Sequence, residues 1–383
     1  MSRDLESVCI HGSETPAYRD DVRAISFPIY QTASFSHDLV GYNQFNYTRQ
    51  DNPTRLHLEE TVAALEHGVD AVAFTSGMAA ISAVFELFQS GDHIVSCDDL
   101  YGGVTRHLNS INRKNGLEIT FVDATVPDNV EKAIQPNTRA LYVETPSNPM
   151  MHIIDLIALA SIAKAHGLLL IVDNTFMSPV FQQPLDLGAD IVVHSGSKFL
   201  SGHNDTISGF AIAKDREIAD RIRLIAKTTG GTLAPFDSWL VMRGLKTLCV
   251  RMERQQANAI AIADALQHMP HVTEVLYPGL PGHPGHEVQK RQATGFGSMI
   301  SFRVDSKARA YHVLQHVSLI IFAESLGGTE SLITYPLTQT HPDVPESMRQ
   351  QLGIDETLLR LSVGLESVKD LLEDLGRVLE EEI

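Results

Sequence analysis

Residues 155–174, DLIALASIAKAHGLLLIVDN, decide the fold class of this 383-residue chain. Asp155 is a typical residue to cap the start of a helix, and Gly167 is the residue type that most often follows a helix end. The apolar run LLLIVDN follows at once and is typical of a strand buried on both faces. Together they predict the helix and returning strand of one βαβ crossover.

The same alternation of strand-like and helical segments extends from about residue 61 to residue 210. The strand-like runs are HIVSC, EITFVD, ALYVET, LLLIVDN, IVVHS and SGFAIA. This pattern predicts an α/β fold in which helices cover both faces of a mostly parallel sheet. We expect a large domain over residues 61–245.

The two ends of the chain have different patterns. Helical periodicity runs from about Phe236 to Met269 and stops before Pro270. Strands around SMISFRV and LLRLSVG and a final amphipathic helix follow, which predicts a smaller α+β domain over residues 246–383. Residues 1–60 contain irregular, aromatic and polar segments, and we expect an arm that packs on something else.

Composition narrows the class of partner. The chain is 43% hydrophobic and 20% charged, so it is too apolar to be disordered. A formal net charge of −17 argues against nucleic acid or an anionic membrane as partner, whereas a small-molecule substrate is compatible with it. The three cysteines, Cys9, Cys97 and Cys249, have no metal-type spacing and no disulfide framework. With no apolar run near bilayer length, we expect a soluble cytoplasmic protein.

Asp173 and Lys198 lie just after the strands LLLIV and IVVHS, where open α/β sheets bind their ligands. A lysine can form an imine with an aldehyde cofactor, and an acid can keep a pyridine nitrogen protonated. The hydroxyls of Ser195 and Ser197 are suited to a phosphate. The alternative is that Lys198 is a solvated surface residue, as a single lysine after a strand usually is.

Ser76, Gly77 and Met78 form a second candidate phosphate site. They stand where a strand-like AVAF runs into a helix-forming segment, and the start of a helix presents free N–H groups to an anion. An ordinary serine N-cap explains the same pattern. Tyr101 follows another strand and could lay its ring on a flat cofactor, although a loop tyrosine more often only packs.

Eight segments stand in order along the chain: YTRQDNPT from residue 47, SGM from 76, DLYGG from 99, ETPSNP from 144, VDNT from 172, HSGSK from 194, ESLGG from 324 and RLSVG from 360. Together they closely resemble the Cys/Met-metabolism family of pyridoxal-phosphate enzymes, which includes cystathionine γ-synthase, cystathionine β- and γ-lyases and methionine γ-lyase. The resemblance covers nearly the whole chain and implies pyridoxal 5'-phosphate as cofactor. It also implies a transferase-like fold of the aspartate aminotransferase type (fold type I).

The resemblance implies a role for each matching residue. Lys198 would carry the cofactor and shuttle protons, Asp173 would pair with the pyridine nitrogen, and Tyr101 would stack on the ring. Phosphate contacts would come from the group Ser76, Gly77, Met78, Ser195 and Ser197. The arm residues Tyr47 and Arg49 would reach the phosphate of a neighbouring subunit, which implies at least a dimer and commonly a homotetramer.

The substrate side of the site is also implied. Arg360 would grip the α-carboxylate of an amino-acid substrate, helped by Asn148 and Ser325. Glu324 favours chemistry at the γ-carbon, because β-lyases often have an apolar residue there. Gly103 disfavours methionine γ-lyase, which typically has a cysteine at that position. We expect cystathionine γ-elimination, with γ-replacement by a synthase and β-elimination as alternatives.

Other classes of protein fit less well. The motifs G-x-G-x-x-G and G-x-x-x-x-G-K-[ST] are absent from the sequence, which argues against a dinucleotide oxidoreductase and a P-loop NTPase. His283 and His286 could suggest a metal, but they stand in a proline-rich loop without supporting carboxylates, and we expect no metal site and a solvated loop. A non-catalytic protein on this fold would be expected to lack Lys198 or Asp173.

Overall fold

The computed structural model describes residues 3–13, 15–19, 22, 24–37, 40–41 and 43–383. Its larger sheet has seven strands in the order β1-β7-β6-β5-β4-β2-β3. Strand β7 runs antiparallel to both of its neighbours, and the other paired strands run parallel, as the sequence predicts. The strands are β1 (Asp70–Phe74), β2 (His93–Cys97), β3 (Glu118–Val122), β4 (Thr138–Glu144), β5 (Leu169–Asp173), β6 (Ile191–Ser195) and β7 (Gly209–Ala213).

Nine α-helices accompany this sheet in the described part of the chain. The caps predicted for α6 are confirmed, because Asp155 Oδ1 accepts a hydrogen bond from the Ala158 N–H at 3.1 Å and Gly167 adopts a φ of 65°. A π-helical turn, Leu108–Asn112, continues α4. The helices are α1 (Leu5–His11), α2 (Pro53–Leu65), α3 (Gly77–Phe85), α4 (Gly102–His107), α5 (Pro127–Ala133), α6 (Leu156–His166), α7 (Ser178–Phe181), α8 (Arg216–Thr229) and α9 (Pro235–Leu245).

A second sheet of five strands, in the order β10-β11-β12-β9-β8, packs with helices α10 (Leu248–Leu266), α12 (Lys307–His316) and α14 (Val368–Glu380) around a hydrophobic core of its own. Helix α10 joins the two cores: Leu248 and Met252 belong to the larger core, and Ile262 and Leu266 to the smaller one. The elements are α10 (Leu248–Leu266), β8 (Val272–Leu276), α11 (His286–Gln292), β9 (Met299–Val304), α12 (Lys307–His316), β10 (Ile321–Phe322), β11 (Leu332–Thr334), α13 (Glu346–Leu352), β12 (Leu358–Ser362) and α14 (Val368–Glu380).

The helical periodicity from Phe236 to Met269 corresponds to two helices, α9 and α10, rather than one. Two side chains donate hydrogen bonds to the Gly244 carbonyl near the end of α9. They are the Thr247 hydroxyl, at 3.2 Å, and the Arg251 guanidinium, at 3.0 Å. Gly244 also lies so close to Ser201 that an added Cβ would be 2.1 Å from its carbonyl oxygen. The break between the helices therefore combines local contacts, from Thr247 and Arg251, with the close approach of Ser201, which is distant in sequence.

The predicted arm contains ordered structure of its own. Helix α2 runs across residue 60, the expected boundary, and its Asn52 cap accepts the Thr54 N–H at 3.0 Å. The Phe27 ring stacks on His57 of α2 with 4.3 Å between ring centroids, and its carbonyl accepts the Trp239 indole N–H at 3.1 Å. Part of the arm therefore packs on its own chain, while nine of its positions lie outside the described residues.

The loop that contains His283 and His286 is packed, not solvated as the sequence suggested. His283 Nδ1 accepts the Gly285 N–H at 3.1 Å, and the side chain is 9% exposed. His286 Nδ1 donates to the Pro278 carbonyl at 2.8 Å. Among the described residues there is no group of three or more His, Cys, Asp or Glu side chains that could hold a metal ion, and no helix long and apolar enough to cross a membrane.

Candidate active site

A cavity of about 540 Å³ lies where the carboxyl ends of β4, β5 and β6 face the second sheet. Its volume is in the range that small-molecule and cofactor sites commonly have. Glu144, Asp173 and Ser195, the last residues of the three strands, line one side. Residues near and within the second sheet, including Glu324 and Arg360, line the other side.

The cavity brings together twelve of the fourteen residues that the sequence nominates for the site. They are Ser76, Gly77, Met78, Tyr101, Asn148, Asp173, Ser195, Ser197, Lys198, Glu324, Ser325 and Arg360. The other two, Tyr47 and Arg49, line a separate cavity of about 360 Å³ beside Pro235. The guanidinium of Arg49 lies 5.7 Å from the centre of the Tyr47 ring, and the Tyr47 residue is 44% exposed.

Lys198 projects into the cavity from the turn that follows β6. Its amine donates a hydrogen bond to Ser325 Oγ at 2.8 Å. Burial and then the positive charge of Arg360 lower the pKa of Lys198 to about 8, against an opposing effect of Glu324. The neutral, nucleophilic form of this amine is therefore more accessible near neutral pH than that of an ordinary lysine, while the charged form still predominates.

Ser325 is held in a backbone conformation that few residues other than glycine adopt. Its φ is 98°, and such strained positions are often found at functional sites. Two contacts from the site fix it: the Lys198 amine bonds its hydroxyl, and Arg360 Nη2 donates to its carbonyl at 3.1 Å. The loop after β10 thus places its serine against the lysine.

Asp173 ends β5 and is held by Thr175. The Thr175 N–H and hydroxyl both donate to Asp173 Oδ1, at 3.0 and 2.5 Å, and the same hydroxyl accepts the Ser195 N–H at 2.9 Å. Burial raises the pKa of Asp173, while the Thr175 hydrogen bonds oppose that rise. Since Thr175 uses only Oδ1, Oδ2 is the oxygen available to a ligand in the cavity.

The start of α3 forms one end of the cavity. Ser76 caps the helix by accepting the Ala79 N–H at 3.0 Å, so the first backbone N–H groups of the helix are available to an anion. Gly77 lets the helix start approach the end of β6 closely, because an added Cβ would lie 2.9 Å from the Ser195 Cβ. The hydroxyl of Ser197 is partly engaged by the backbone of Ser208, from which it accepts an N–H at 2.9 Å.

Arg360, from the middle of β12, is 1% exposed. Its Nη1 donates to Asn148 Oδ1 at 2.8 Å, and its Nη2 donates to Ser325 O and to Thr334 Oγ1 at 3.1 and 3.2 Å. Its Nε is buried and has no hydrogen-bond partner among the described residues. Burial lowers the pKa of Arg360 to about 10, so the group stays charged and has an unused donor to offer a carboxylate.

Glu144 is a lining residue to which the sequence gave no role. Its Oε2 accepts the backbone N–H of Tyr101 at 3.0 Å, and it is paired across the sheet with Asp173. Burial and the neighbouring Asp173 hold the pKa of Glu144 well above its usual range. Its position at the carboxyl end of a buried strand was the available signal. Other lining residues missed from sequence are Ile81, Thr175, Phe176, Asn204, Thr206, Ile207, Ala323, Leu326, Leu332 and Thr340.

His341 joins two loops of the site from outside the cavity lining. Its Nε2 lies 3.1 Å from the Leu100 carbonyl oxygen and 3.0 Å from the Asn148 carbonyl oxygen, so this nitrogen carries the proton and donates to both. Its Nδ1 accepts from the Thr340 hydroxyl at 2.7 Å. Burial lowers the pKa of His341 to about 4, and the ring is neutral at neutral pH.

The residues of the cavity fit pyridoxal phosphate. A helix start packed closely against Ser195 through Gly77 suits the phosphate, a buried carboxylate suits the pyridine nitrogen, and an amine of lowered pKa suits the aldehyde. The unpartnered Nε of Arg360 suits the carboxylate of an amino acid. All of these groups line the same cavity.

Relatives of known activity match the chain over nearly its whole length. It is 48% identical to cystathionine γ-lyase of Bacillus subtilis, over 98% of this chain and 99% of that protein. It is 48% identical to cystathionine γ-synthase of Haemophilus influenzae, over 93% of this chain and 94% of that protein. It is 45% identical to cystathionine β-lyase of Lactococcus lactis, again over 93% and 94%.

Solved structures agree with the predicted fold class. Cystathionine γ-lyase from Lactobacillus plantarum complexed with L-serine is 44% identical, with a TM-score of 0.95 and coverage of 98% of both chains. The predicted transferase-like fold and the pyridoxal-phosphate cofactor are therefore confirmed. The family model for the Cys/Met metabolism PLP-dependent enzymes matches residues 6–380. This chain belongs to the Cys/Met metabolism PLP-dependent enzyme family.

Proposed function

We propose that the protein is a carbon–sulfur lyase that cleaves L-cystathionine by γ-elimination to cysteine, 2-oxobutanoate and ammonia. The observation that carries the proposal is the convergence of three groups in one cavity. The Lys198 amine has a lowered pKa, the Asp173 carboxylate has one oxygen free, and the Arg360 guanidinium has an unused donor.

Different residues of the cavity would hold different parts of the cofactor. Lys198 would bond its aldehyde, Asp173 would pair with the pyridine nitrogen, and Tyr101 would cover one face of the ring. The phosphate would be held by the helix start and the turn after β6, through Ser76, Gly77, Met78, Ser195 and Ser197. When bound, pyridoxal phosphate supplies a sink for the electrons left when a bond to the substrate Cα breaks.

Lys198 is also the group that would move protons. Its Nζ would take the proton from the substrate Cα and return protons to neighbouring carbons. The hydrogen bond to Ser325 Oγ keeps this nitrogen at the centre of the site. Either Lys198 or the Tyr101 hydroxyl would protonate the departing sulfur.

The substrate would be oriented through its α-carboxylate. Arg360 binds the carboxylate as a fork, and Asn148 and Ser325 keep the guanidinium in place through the contacts at 2.8 and 3.1 Å. Glu324 lies at the same cavity and favours reaction at the γ-carbon over the β-carbon. Some β-elimination on cystathionine or cystine is compatible with this arrangement.

Cystathionine γ-synthase, which performs γ-replacement, is the second candidate. A γ-synthase is as similar to this chain, at 48% identity, as the γ-lyase is. The two reactions would use the same residues and differ in whether a thiol replaces the group that leaves the γ-carbon. A non-catalytic role is less consistent with a cavity that retains Lys198 and Asp173.

Product analysis distinguishes these reactions. The purified enzyme would be given cystathionine alone, and separately an activated homoserine ester with cysteine, with 2-oxobutanoate, pyruvate and cystathionine measured in both. We expect 2-oxobutanoate from cystathionine as the fastest reaction. Faster ester-dependent formation of cystathionine would favour the synthase, and pyruvate as the main product would favour the β-lyase.

We further propose that Tyr47 and Arg49 complete the phosphate site of a neighbouring subunit in a homotetramer. Their exposed position outside the Lys198 cavity supports this. Inactive Lys198→Ala chains refolded with inactive Arg49→Ala chains should regain activity, since mixed pairs contain one intact site. Mixtures as inactive as either variant would argue against a shared site.

The absence of a disulfide framework supports a cytoplasmic location.

A further inference from the structure

Two buried cysteines meet at the contact between the first helix and the start of α10. The sulfur of Cys9, on α1, lies 3.7 Å from the sulfur of Cys249, although the residues are 240 positions apart in sequence. Cys9 is 4% exposed and Cys249 7% exposed. We propose that Cys9 and Cys249 form a redox-active dithiol that closes to a disulfide and fastens α1 to α10.

The geometry needs only a small adjustment. A disulfide has a sulfur–sulfur distance of about 2.05 Å, so the two sulfurs would have to approach by about 1.7 Å. Helix α1 has seven residues and ends at Gly12, whose φ of 73° marks a turn in the chain. A short helix at one end of the chain can shift by this amount more readily than the 19-residue α10.

A neighbouring cavity gives a small oxidant access to the pair. Cys9 lines a cavity of about 310 Å³ together with Trp239. Positively charged or ionisable side chains surround it, including Arg243, Lys246 and His57. The chemistry favours a low-molecular-weight disulfide that carries carboxylate groups, because the side-chain charges attract it and the cavity is too small for a protein.

Cys9 is the thiol that a small oxidant meets first, because it lines the cavity and Cys249 does not. Burial and the hydrogen bond with Cys249 raise the pKa of Cys9, so its attack is the slow step. Cys249 is the second residue of α10, where the positive end of the helix dipole favours a thiolate, and the hydrogen bond with Cys9 lowers its pKa. Cys249 is thus suited to resolve a mixed disulfide formed on Cys9.

The exchange is balanced in atoms and electrons. The Cys9 thiol loses its proton and attacks one sulfur of the small disulfide, which forms a mixed disulfide on Cys9 and releases one thiolate. The Cys249 thiolate then attacks the Cys9 sulfur, which forms the Cys9–Cys249 bond and releases the second thiolate. The protein loses two electrons and two protons in total, and the small disulfide becomes two thiols.

The disulfide would affect the catalytic cavity through Arg251, which lies on the same turn of α10 as Cys249 and contacts the turn after Lys198. Its guanidinium donates to the carbonyls of Phe199 and Leu200, at 2.8 and 3.4 Å, in the turn directly after Lys198. Fastening α1 to this part of α10 would therefore restrain the helix start that supports the Lys198 turn. We expect the oxidised holoenzyme to unfold at a higher temperature than the reduced one.

Thiol mapping tests the proposal without relying on activity. The holoenzyme would be incubated with oxidised glutathione, alkylated, denatured and digested without reductant. We expect free thiols to fall from the three cysteines to one, Cys97, with a cross-linked Cys9–Cys249 peptide and a rise in unfolding temperature that dithiothreitol reverses. The Cys97→Ser variant should form the same cross-link, and Cys249→Ser should stop at a glutathione adduct on Cys9.

Three outcomes would overturn the proposal. They are three free thiols after oxidation, separate glutathione adducts on Cys9 and Cys249 without a cross-link, and a cross-link between two chains. The wild-type protein alone decides among them, so the test does not depend on the folding of a variant. Because its readout is a peptide mass, its failure would leave the proposed lyase reaction untouched.

Discussion

Replacing Arg360 with lysine tests how the substrate is held. Arg360→Lys keeps the positive charge but removes the planar fork, whose Nη atoms bond Asn148 at 2.8 Å and the Ser325 carbonyl at 3.1 Å. The backbone should not move, because β12 is paired on both sides, with Ser301 and Thr334 opposite this residue. The change therefore isolates the geometry of the fork from its charge.

The expected magnitude follows from the loss of one hydrogen bond to a charged group, which contributes about 1.5–3 kcal/mol. Since about 1.4 kcal/mol corresponds to a factor of ten, kcat/KM for cystathionine should fall by about 10- to 150-fold. Most of the change should appear in KM, because the α-carboxylate is bound equally before and during the reaction. Cofactor absorbance should be unchanged.

Arg303→Lys is a matched control in the neighbouring strand. Arg303 lies on β9 and forms an ion pair with Glu274 at 2.7 Å, away from the cavity. The kcat/KM for cystathionine and the unfolding temperature would be measured for both variants and compared with those of the wild-type enzyme. An unchanged kcat/KM for Arg360→Lys, or an equal loss in the control, would refute the assigned role.

Three further predictions concern the cofactor site and its supporting loops. Gly77→Ala should weaken cofactor binding, because the new Cβ would lie 2.9 Å from Ser195, and faster loss of pyridoxal phosphate on dialysis would be the readout. His341→Ala should lower the free energy of unfolding by about 1–3 kcal/mol in urea denaturation, since two loop carbonyls lose their donor. Burial raises the pKa of Asp99 from 3.8 to about 6, so the folded state holds its proton more tightly and stability falls as pH rises through that interval. Asp99→Asn should remove that part of the pH dependence of the unfolding temperature, and an unchanged profile would argue against it.

Much of the fold was predictable because its signals are local. The strand LLLIVDN and the helix before it are specified by adjacent residues, and the structure has β5 and α6 there. The break between α9 and α10 was not predicted, because it depends in part on the close approach of Gly244 to Ser201. That contact joins segments that no window of sequence contains together.

The site also contains residues that local sequence signals could predict and residues that they could not. Asp173 and Lys198 were accessible from sequence, because the carboxyl ends of parallel strands meet at one edge of a sheet. Glu144 ends a strand in the same way but has the sequence of an ordinary buried acid, and only the structure shows its bond to the Tyr101 N–H. Thr340 comes from a loop with no periodicity that could have placed it.

Reduction of the holoenzyme with borohydride, followed by peptide mapping, tests the central claim most directly. Borohydride fixes the cofactor to whichever amine holds it, so the modified peptide identifies the lysine. We predict a single modified residue, Lys198, and no visible cofactor absorbance in the Lys198→Ala variant. A label on a different lysine, or a Lys198→Ala variant that keeps full activity, would contradict the account.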